Sequence, residues 1–360
     1  MVEYVVSDKY DASKLWDYYT ARFLSDGVNH NDLIEMRSKT RTWDDWLDVW
    51  CELADRHEAR GEEALKRGSE VTAGEELCLA GLYVHYGQFL FWCDPEKKNA
   101  AQRRKVDLYR RAAPLLLPPA EWVEIPYEGT VLPGCLRMPV GRPKAPCVVL
   151  IGGLESTKEE SYLFENLCLR RGVATFAYDG PGQGDVHIDL PMQPGFERTA
   201  TAVLDHLLTR PEIDGERVGV LGRSLGGYYA PLCAAHEPRF RACVSYGAFY
   251  DFGNWEAMPA VIKDGFQFVT KTGSWDEAAD YLKSFTLAGV LKNLKCPYYI
   301  LHGERDAIMP ADRAGQVADE TGGGGGETEL VLIKDGIHGV HHVAHIERPK
   351  MADWLAAKLS

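Results

Sequence analysis

Gly222-Arg223-Ser224-Leu225-Gly226-Gly227 sets a hydroxyl at the tip of a glycine-flanked turn. The apolar run Val218-Gly219-Val220-Leu221 precedes it, and a helical pattern from Tyr228 to Ala235 follows. Strand, tight turn and helix is the context in which G-x-S-x-G presents a nucleophile. Small flanking residues let the strand and helix pack closely and let a substrate come near. The chemistry implied is attack by Ser224 on an electrophilic carbon. Nucleotide-binding readings of the same glycines fail. Gly219-Val220-Leu221-Gly222 lacks the G-x-G start of a dinucleotide fingerprint, and no G-x-x-x-x-G-K-[ST] loop occurs in the chain.

A serine hydroxyl is a poor nucleophile until a base takes its proton, and the base needs a third group to fix its tautomer. With serine on such a turn, the acid and then the histidine follow in chain order. Downstream, Tyr298-Tyr299-Ile300-Leu301-His302-Gly303 reads as a strand ending in a glycine turn, and Asp306 follows it. Ligands and catalysts gather at the C-terminal edge of parallel sheets. Glu304 is the rival acid; the turn leading to Pro310 favours Asp306. Another strand, Glu329–Ile333, is followed by Lys334-Asp335-Gly336-Ile337-His338, which makes His338 the expected general base. His341, His342 and His345 crowd behind it. No metal is assigned, because the triad accounts for His338 and no carboxylate ligand pattern accompanies the cluster. His341 is expected beside the base or on the substrate side, and His342 and His345 at the surface or in packing.

An oxyanion needs backbone donors. Val148-Val149-Leu150-Ile151-Gly152-Gly153-Leu154 puts two glycines directly after a buried strand. The N–H groups of Gly153 and of Leu225, the residue after the nucleophile, are the expected pair, with Leu154 on the substrate side. Losing one such donor costs about 2.7–4 kcal/mol of transition-state stabilisation. A plain glycine turn is the bland alternative. Asp179-Gly180-Pro181-Gly182-Gln183-Gly184 is a further strand-end turn, read as scaffold with Asp179 tying down the loop.

These residues need a scaffold, and the periodicity supplies one. Residues 1–118 read as a helical domain. Trp16, Tyr19 and Phe23 recur at helical spacing, as do Trp43, Trp46, Leu47 and Trp50. Glu75–Trp92 is apolar nearly all round, as expected of a helix buried on most sides. Its Tyr83, Tyr86 and Phe89 are assigned first to core packing and second to lining the substrate. A charged helix spans Glu96–Ala113, and Pro114, Pro118 and Pro119 then stop helical structure. From residue 119 to 360 short β-like runs alternate with helical stretches, which predicts βαβ units and a mostly parallel sheet; together with the serine turn and the chain order of acid and histidine, the expectation is an α/β-hydrolase fold. Residues 252–295 form an aromatic-rich, irregular insert expected to act as a cap. Gly322–Gly326 is a loop tip.

With 360 residues, 45% hydrophobic and 26% charged, the composition is that of a soluble globular protein. A net charge of −13 argues against a nucleic-acid partner and, weakly, against anionic membranes. No apolar run approaches the roughly 18 residues of a membrane span, and Met1–Tyr10 lacks the pattern of a signal peptide. The nine cysteines are scattered, with no CxxC pair, and are expected as free thiols in a reducing cytoplasm.

The strings GGLESTKEES (152–161), DGPGQG (179–184), VLGRSLGG (220–227), KDG.H (334–338) and MADWL (351–355) resemble the 2,6-dihydroxypseudooxynicotine hydrolase-like α/β-hydrolases, serine hydrolases of carbon–carbon bonds. AGEELCLAGLYVHYGQFLF (73–91) and KVDLYRRAAPLL (105–116) extend the resemblance over nearly the whole chain. The resemblance implies a helical N-terminal domain covering the site, a homodimer and no metal or organic cofactor. It supports Ser224, Asp306 and His338. It adds a glutamate on the cap side, matched by Glu256 in Asn254-Trp255-Glu256-Ala257-Met258. Where the family carries cysteines after the base, Gly339 and Val340 stand here. The implied substrate is an aryl ketone or a polyketide whose β-diketone-like form is cleaved by water, the leaving carbon taking a proton from Glu256 or His338. A carboxylesterase needs the same triad and is the alternative. A peptidase is disfavoured for want of a large extra domain, and a non-enzymatic binding protein would have no activated serine.

Overall fold

The computed structural model describes residues 10–322 and 326–360. By contacts the chain divides into two units, one ending at Trp122 and one running from Val123 to Ser360. The first unit holds α1 (Ala12–Ser25), α2 (His30–Lys39), α3 (Asp45–Lys66), α4 (Glu70–Gln88) and α5 (Pro95–Ala112). Aromatic residues spaced one helical turn apart form its core. The Trp16 and Trp50 rings stack with centroids 5.5 Å apart, and Phe23 packs edge-on against Tyr86 at 4.6 Å. The apolarity of α4 matches its packing against α3 and α5, with every residue from Tyr83 to Gln88 buried. Among the described residues no helix is long and apolar enough to cross a membrane.

The second unit is built on an eight-stranded sheet. Its elements run β1 (Ala120–Tyr127), β2 (Thr130–Arg137), β3 (Ala145–Ile151), α6 (Tyr162–Leu169), β4 (Ala174–Tyr178), α7 (Val186–Asp189), α8 (Glu197–Leu207), β5 (Ile213–Arg223), α9 (Gly226–His236), β6 (Phe240–Tyr246), α10 (Ala260–Thr270), α11 (Trp275–Leu282), β7 (Tyr298–Gly303), α12 (Ala311–Thr321), β8 (Thr328–Ile333) and α13 (Ala344–Lys358). The strand order is β1-β2-β4-β3-β5-β6-β7-β8. β2 pairs antiparallel with β4, and the pairings from β4 to β8 are parallel. Central parallel strands are covered on both faces and read as continuous apolar runs; β3 and β4 are buried at every position. Val148, Leu150, Leu221, Val244 and Leu301 share one core with Met351 and Leu355 of α13. This is the α/β-hydrolase fold.

Register positions the chemistry. Ile151 pairs with Gly222, Arg223 with Tyr246, and Gly303 with Ile333. The strands preceding Gly153, Ser224, Asp306 and His338 therefore end along one edge of the sheet. Two elements escape the sequence pattern. β2 is continuous, but Pro133-Gly134 interrupts its strand-like pattern where the Phe176 ring lies against the glycine. α12 buries only Ala314, Val317 and Thr321, a weak apolar stripe. The insert at 252–295, read as irregular, contains α10 and α11. Part of the 322–326 loop tip, residues 323–325, lies outside the described residues.

Candidate active site

Ser224 sits between β5 and α9 with φ 57°, a left-handed conformation that strains a residue with a side chain. Its N–H donates to the Tyr246 carbonyl at 2.8 Å, which pins the strained turn to β6. Close packing makes the flanking glycines obligatory. A Cβ on Gly226 would lie 2.3 Å from the Ile151 carbonyl oxygen and 2.7 Å from that of Gly152. Gly226→Ala is therefore expected to cost about 1–3 kcal/mol, the range of core overpacking, and to lower turnover by pushing the 152–154 loop away. Denaturant melts and kcat measured on one sample check it; unchanged stability and turnover would contradict the packing argument.

The structure brings the three expected side chains into one chain of hydrogen bonds. His338 Nε2 lies 2.8 Å from Ser224 Oγ, and His338 Nδ1 lies 2.7 Å from Asp306 Oδ2. Asp306 is buried, and its Oδ1 accepts the N–H groups of Ile308 at 2.8 Å and Met309 at 2.9 Å. Burial alone pushes this carboxyl up. The facing His338, its hydrogen bond, His302 and the Met309 amide outweigh burial and hold it below the usual carboxylate range. Glu304, the rival acid, is exposed and accepts a long bond, 3.4 Å, from the Asp335 N–H.

Gly153 packs on the nucleophile: a Cβ built there would lie 2.9 Å from Ser224 Cβ and 3.3 Å from its Oγ. Leu225 follows Ser224 at the head of α9, and Leu154 is buried beside Gly153. Asp179 does tie down the loop, accepting from the Lys158 N–H at 2.9 Å and from its Nζ at 2.8 Å. Burial pushes the Lys158 ammonium down, but Asp179 and Glu159 together hold it well above the ordinary lysine range.

Other expected residues fall elsewhere. Glu256 stands on a single 3-10 turn whose neighbour Trp255 turns inward, and this leaves its carboxylate 97% exposed, 3.8 Å from Lys263 Nζ. A carboxylate this exposed is solvated, which speaks against the expected role of Glu256 as the acid. Tyr83 and Tyr86 are buried in the helical unit, and their hydroxyls donate to Asp32 at 2.6 Å and Asp26 at 2.5 Å. Their hydroxyls are bonded within the helical unit, in keeping with the first role expected of them, core packing, rather than the second, substrate lining. His341 is buried, with Nε2 3.5 Å from Arg223 Nη2, while His342 and His345 are exposed. Between the buried His338 and His341 the backbone of Gly339 and Val340 is left-handed. Among the described residues no group of three or more His, Cys, Asp or Glu side chains is arranged to hold a metal ion.

Two polar residues were not singled out by sequence. His302 is buried; the Ala248 N–H donates to its Nδ1 at 3.1 Å, and its Nε2 donates to the Met309 carbonyl at 3.0 Å. That pattern requires the neutral ring, and burial accordingly pushes its pKa down despite Asp306 nearby. Gln183 is buried behind the Gly152-Gly153 loop. The strings Leu301-His302-Gly303 and Asp179–Gly184 were the available signals.

Residues 25–272 match the family model "Esterase FrsA-like", and residues 198–360 match "Prolyl oligopeptidase family". The chain is 40% identical over 335 residues to 2,6-dihydropseudooxynicotine hydrolase of Paenarthrobacter nicotinovorans, covering 93% of this chain and 90% of that protein. It is 32% identical over 311 residues to the α/β-hydrolase psoB of Aspergillus fumigatus, covering 78% and 67%. The crystal structure of 2,6-dihydroxy-pseudo-oxynicotine hydrolase superposes with a TM-score of 0.89 at 39% identity, covering 94% of this chain and 95% of that one.

Proposed function

This chain belongs to the α/β-hydrolase family that includes 2,6-dihydropseudooxynicotine hydrolase, and from that premise we propose that it is a serine hydrolase cleaving a carbon–carbon bond beside a carbonyl, in an aryl ketone or β-diketone-like molecule. The serine chemistry rests on the Ser224–His338–Asp306 chain at 2.8 and 2.7 Å, and the choice of a carbon–carbon bond rests on the relative 40% identical over 93% of this chain. Both distances lie within the reach needed for proton transfer.

In this mechanism His338 Nε2 takes the Ser224 proton as Oγ adds to the carbonyl carbon. Asp306 holds the tautomer and stabilises the imidazolium. The N–H groups of Leu225 and Gly153 receive the oxyanion. Collapse breaks the bond from the carbonyl carbon to the ring or polyketide carbon, which leaves as an enolate-like carbanion. His338 returns its proton to that carbon. Water, deprotonated by His338, then releases the acyl group from Ser224 as a carboxylic acid. The balance is ketone plus water giving a protonated carbon fragment and an acid. Leu154 and His341 are proposed on the substrate side. The reading extends to a homodimer working in the cytoplasm on a small aromatic or polyketide substrate; sedimentation at the chain's own mass would contradict the dimer.

Ester hydrolysis is the second reading, favoured by the match to the esterase family over residues 25–272. An activated phenolate such as p-nitrophenolate leaves without a positioned acid, whereas a carbon leaving group needs one, so the two readings separate on substrate. The wild type is expected to cleave a dihydroxyaryl ketone, and Glu256→Gln to do so at the wild-type rate, because that carboxylate is in solvent. Parallel assays on the ketone and on p-nitrophenyl acetate test both points. A loss on the ketone alone would restore Glu256 as the acid. Turnover of the ester alone by wild type would move the reading to the esterase.

A further inference from the structure

Gln183 uses its carboxamide on backbone, and on one stretch in particular. Its Nε2 donates to the carbonyl of Gly152 at 2.7 Å and to that of Gly153 at 3.2 Å, while its Oε1 accepts from the Gly180 N–H at 3.0 Å. The side chain is only 2% exposed. With Asp179 on Lys158, the 179–184 turn grips the 152–158 loop at both ends.

The consequence follows from peptide geometry. In a trans peptide the C=O and N–H of one unit point in opposite directions. The unit that carries the Gly152 carbonyl also carries the Gly153 N–H, and the unit that carries the Gly153 carbonyl also carries the Leu154 N–H. Drawing both carbonyls to Gln183 turns both N–H groups to the opposite side of the loop. Gly153 is the residue packed on Ser224, whose Cβ is 2.9 Å from a Cβ built on that glycine. An oxyanion hole works because its donors are oriented before the charge appears.

We propose that Gln183 is the positioning residue of the oxyanion hole: by holding the Gly152 and Gly153 carbonyls it fixes the direction of the amide that receives the oxyanion. This rests on the reading of Ser224 as nucleophile. Gln183 touches no reacting atom and acts through the peptide units in front of it.

The test uses the whole chain and a fluorophosphonate probe, whose phosphoryl oxygen takes the oxyanion position as Ser224 attacks. Gln183→Met keeps the side chain's length and volume but offers no hydrogen bond; Gln183→Ala removes both. Labelling rates are measured against pH for wild type and both variants, with thermal melts on the same samples. The expected result is a plateau rate about 10- to 100-fold lower in both, part of the roughly 10²–10³ lost with a whole donor, and an unchanged pH midpoint, because His338 and Asp306 are untouched. Gln183→Met labelled at the wild-type rate would reduce Gln183 to packing and overturn the proposal. So would a pH midpoint that moves together with the rate, because the base would then be the part disturbed. If Gln183→Met does not fold, Gln183→Ala decides by the same comparison. A folded wild type that the probe does not label overturns the nucleophile reading and this proposal with it, whereas a labelled wild type beside an unaffected Gln183→Met overturns this proposal alone.

Discussion

Ser224→Ala is expected to lower kcat by about 10⁴-fold or more and to leave the melting temperature at or above the wild-type value. The loss is large because removing Oγ removes the bond-forming atom, the hydroxyl 2.8 Å from His338 Nε2. The residual rate is what binding and the oxyanion hole still provide to water. Stability should not fall, because the serine is held in a strained backbone at φ 57° by its N–H to Tyr246, a bond that alanine keeps. The side-chain hydroxyl contributes to chemistry rather than to the fold. Rapid-quench measurement of turnover, with a thermal melt on the same preparation, checks both halves. Turnover near the wild-type rate in Ser224→Ala would remove Ser224 from the mechanism.

Asp306→Asn should cost about as much, on the order of 10⁴ in kcat. Asparagine keeps an oxygen for the Ile308 and Met309 amides, so the loop is preserved. Its NH₂ then faces His338 Nδ1, which must become an acceptor. The ring proton moves to Nε2, and the base presents a donor to Ser224 where an acceptor is needed. The variant also tests the electrostatics. The carboxyl is held below its ordinary value in the fold, so its ionised form stabilises the fold above roughly pH 4 and loses that contribution as pH falls further. Asp306→Asn should abolish that acid-side dependence. Glu304→Gln, in solvent, should leave kcat unchanged. If Glu304→Gln is the dead variant and Asp306→Asn the active one, the acid has been misassigned.

The parts of the site legible in the sequence are those fixed by local chain geometry. Ser224 declares itself through glycines that no side chain could replace, as the 2.3 Å approach at Gly226 makes clear. Asp306 and His338 follow because each comes shortly after a strand, and a parallel sheet delivers all such positions to one edge. What was not legible depends on direction or on distant approach. Glu256 matches a cap-side glutamate of the resemblance, but sequence position does not say which side of a one-turn helix faces solvent. The aromatic spacing of Tyr83 and Tyr86 spoke for a buried helix, yet only the positions of Asp26 and Asp32 decide where their hydroxyls go. β2 was hidden by Pro133-Gly134, whose glycine exists to admit a phenyl ring from the neighbouring strand. Gln183 was invisible because its partners lie about 30 residues upstream on another loop. Its motif marks a turn without saying what the turn grips.

Hydrolysis of a carbon–carbon bond through Ser224 dictates where the oxygen of water ends up. The most direct measurement incubates wild type with 2,6-dihydroxypseudooxynicotine in ¹⁸O-labelled water and follows the products by mass spectrometry, with Ser224→Ala alongside. The predicted result is the free ring compound and a carboxylic acid in equal amounts, the label in the acid, and neither product from the variant. An unconsumed ketone with wild type active on simple esters, or equal cleavage by wild type and Ser224→Ala, would contradict it.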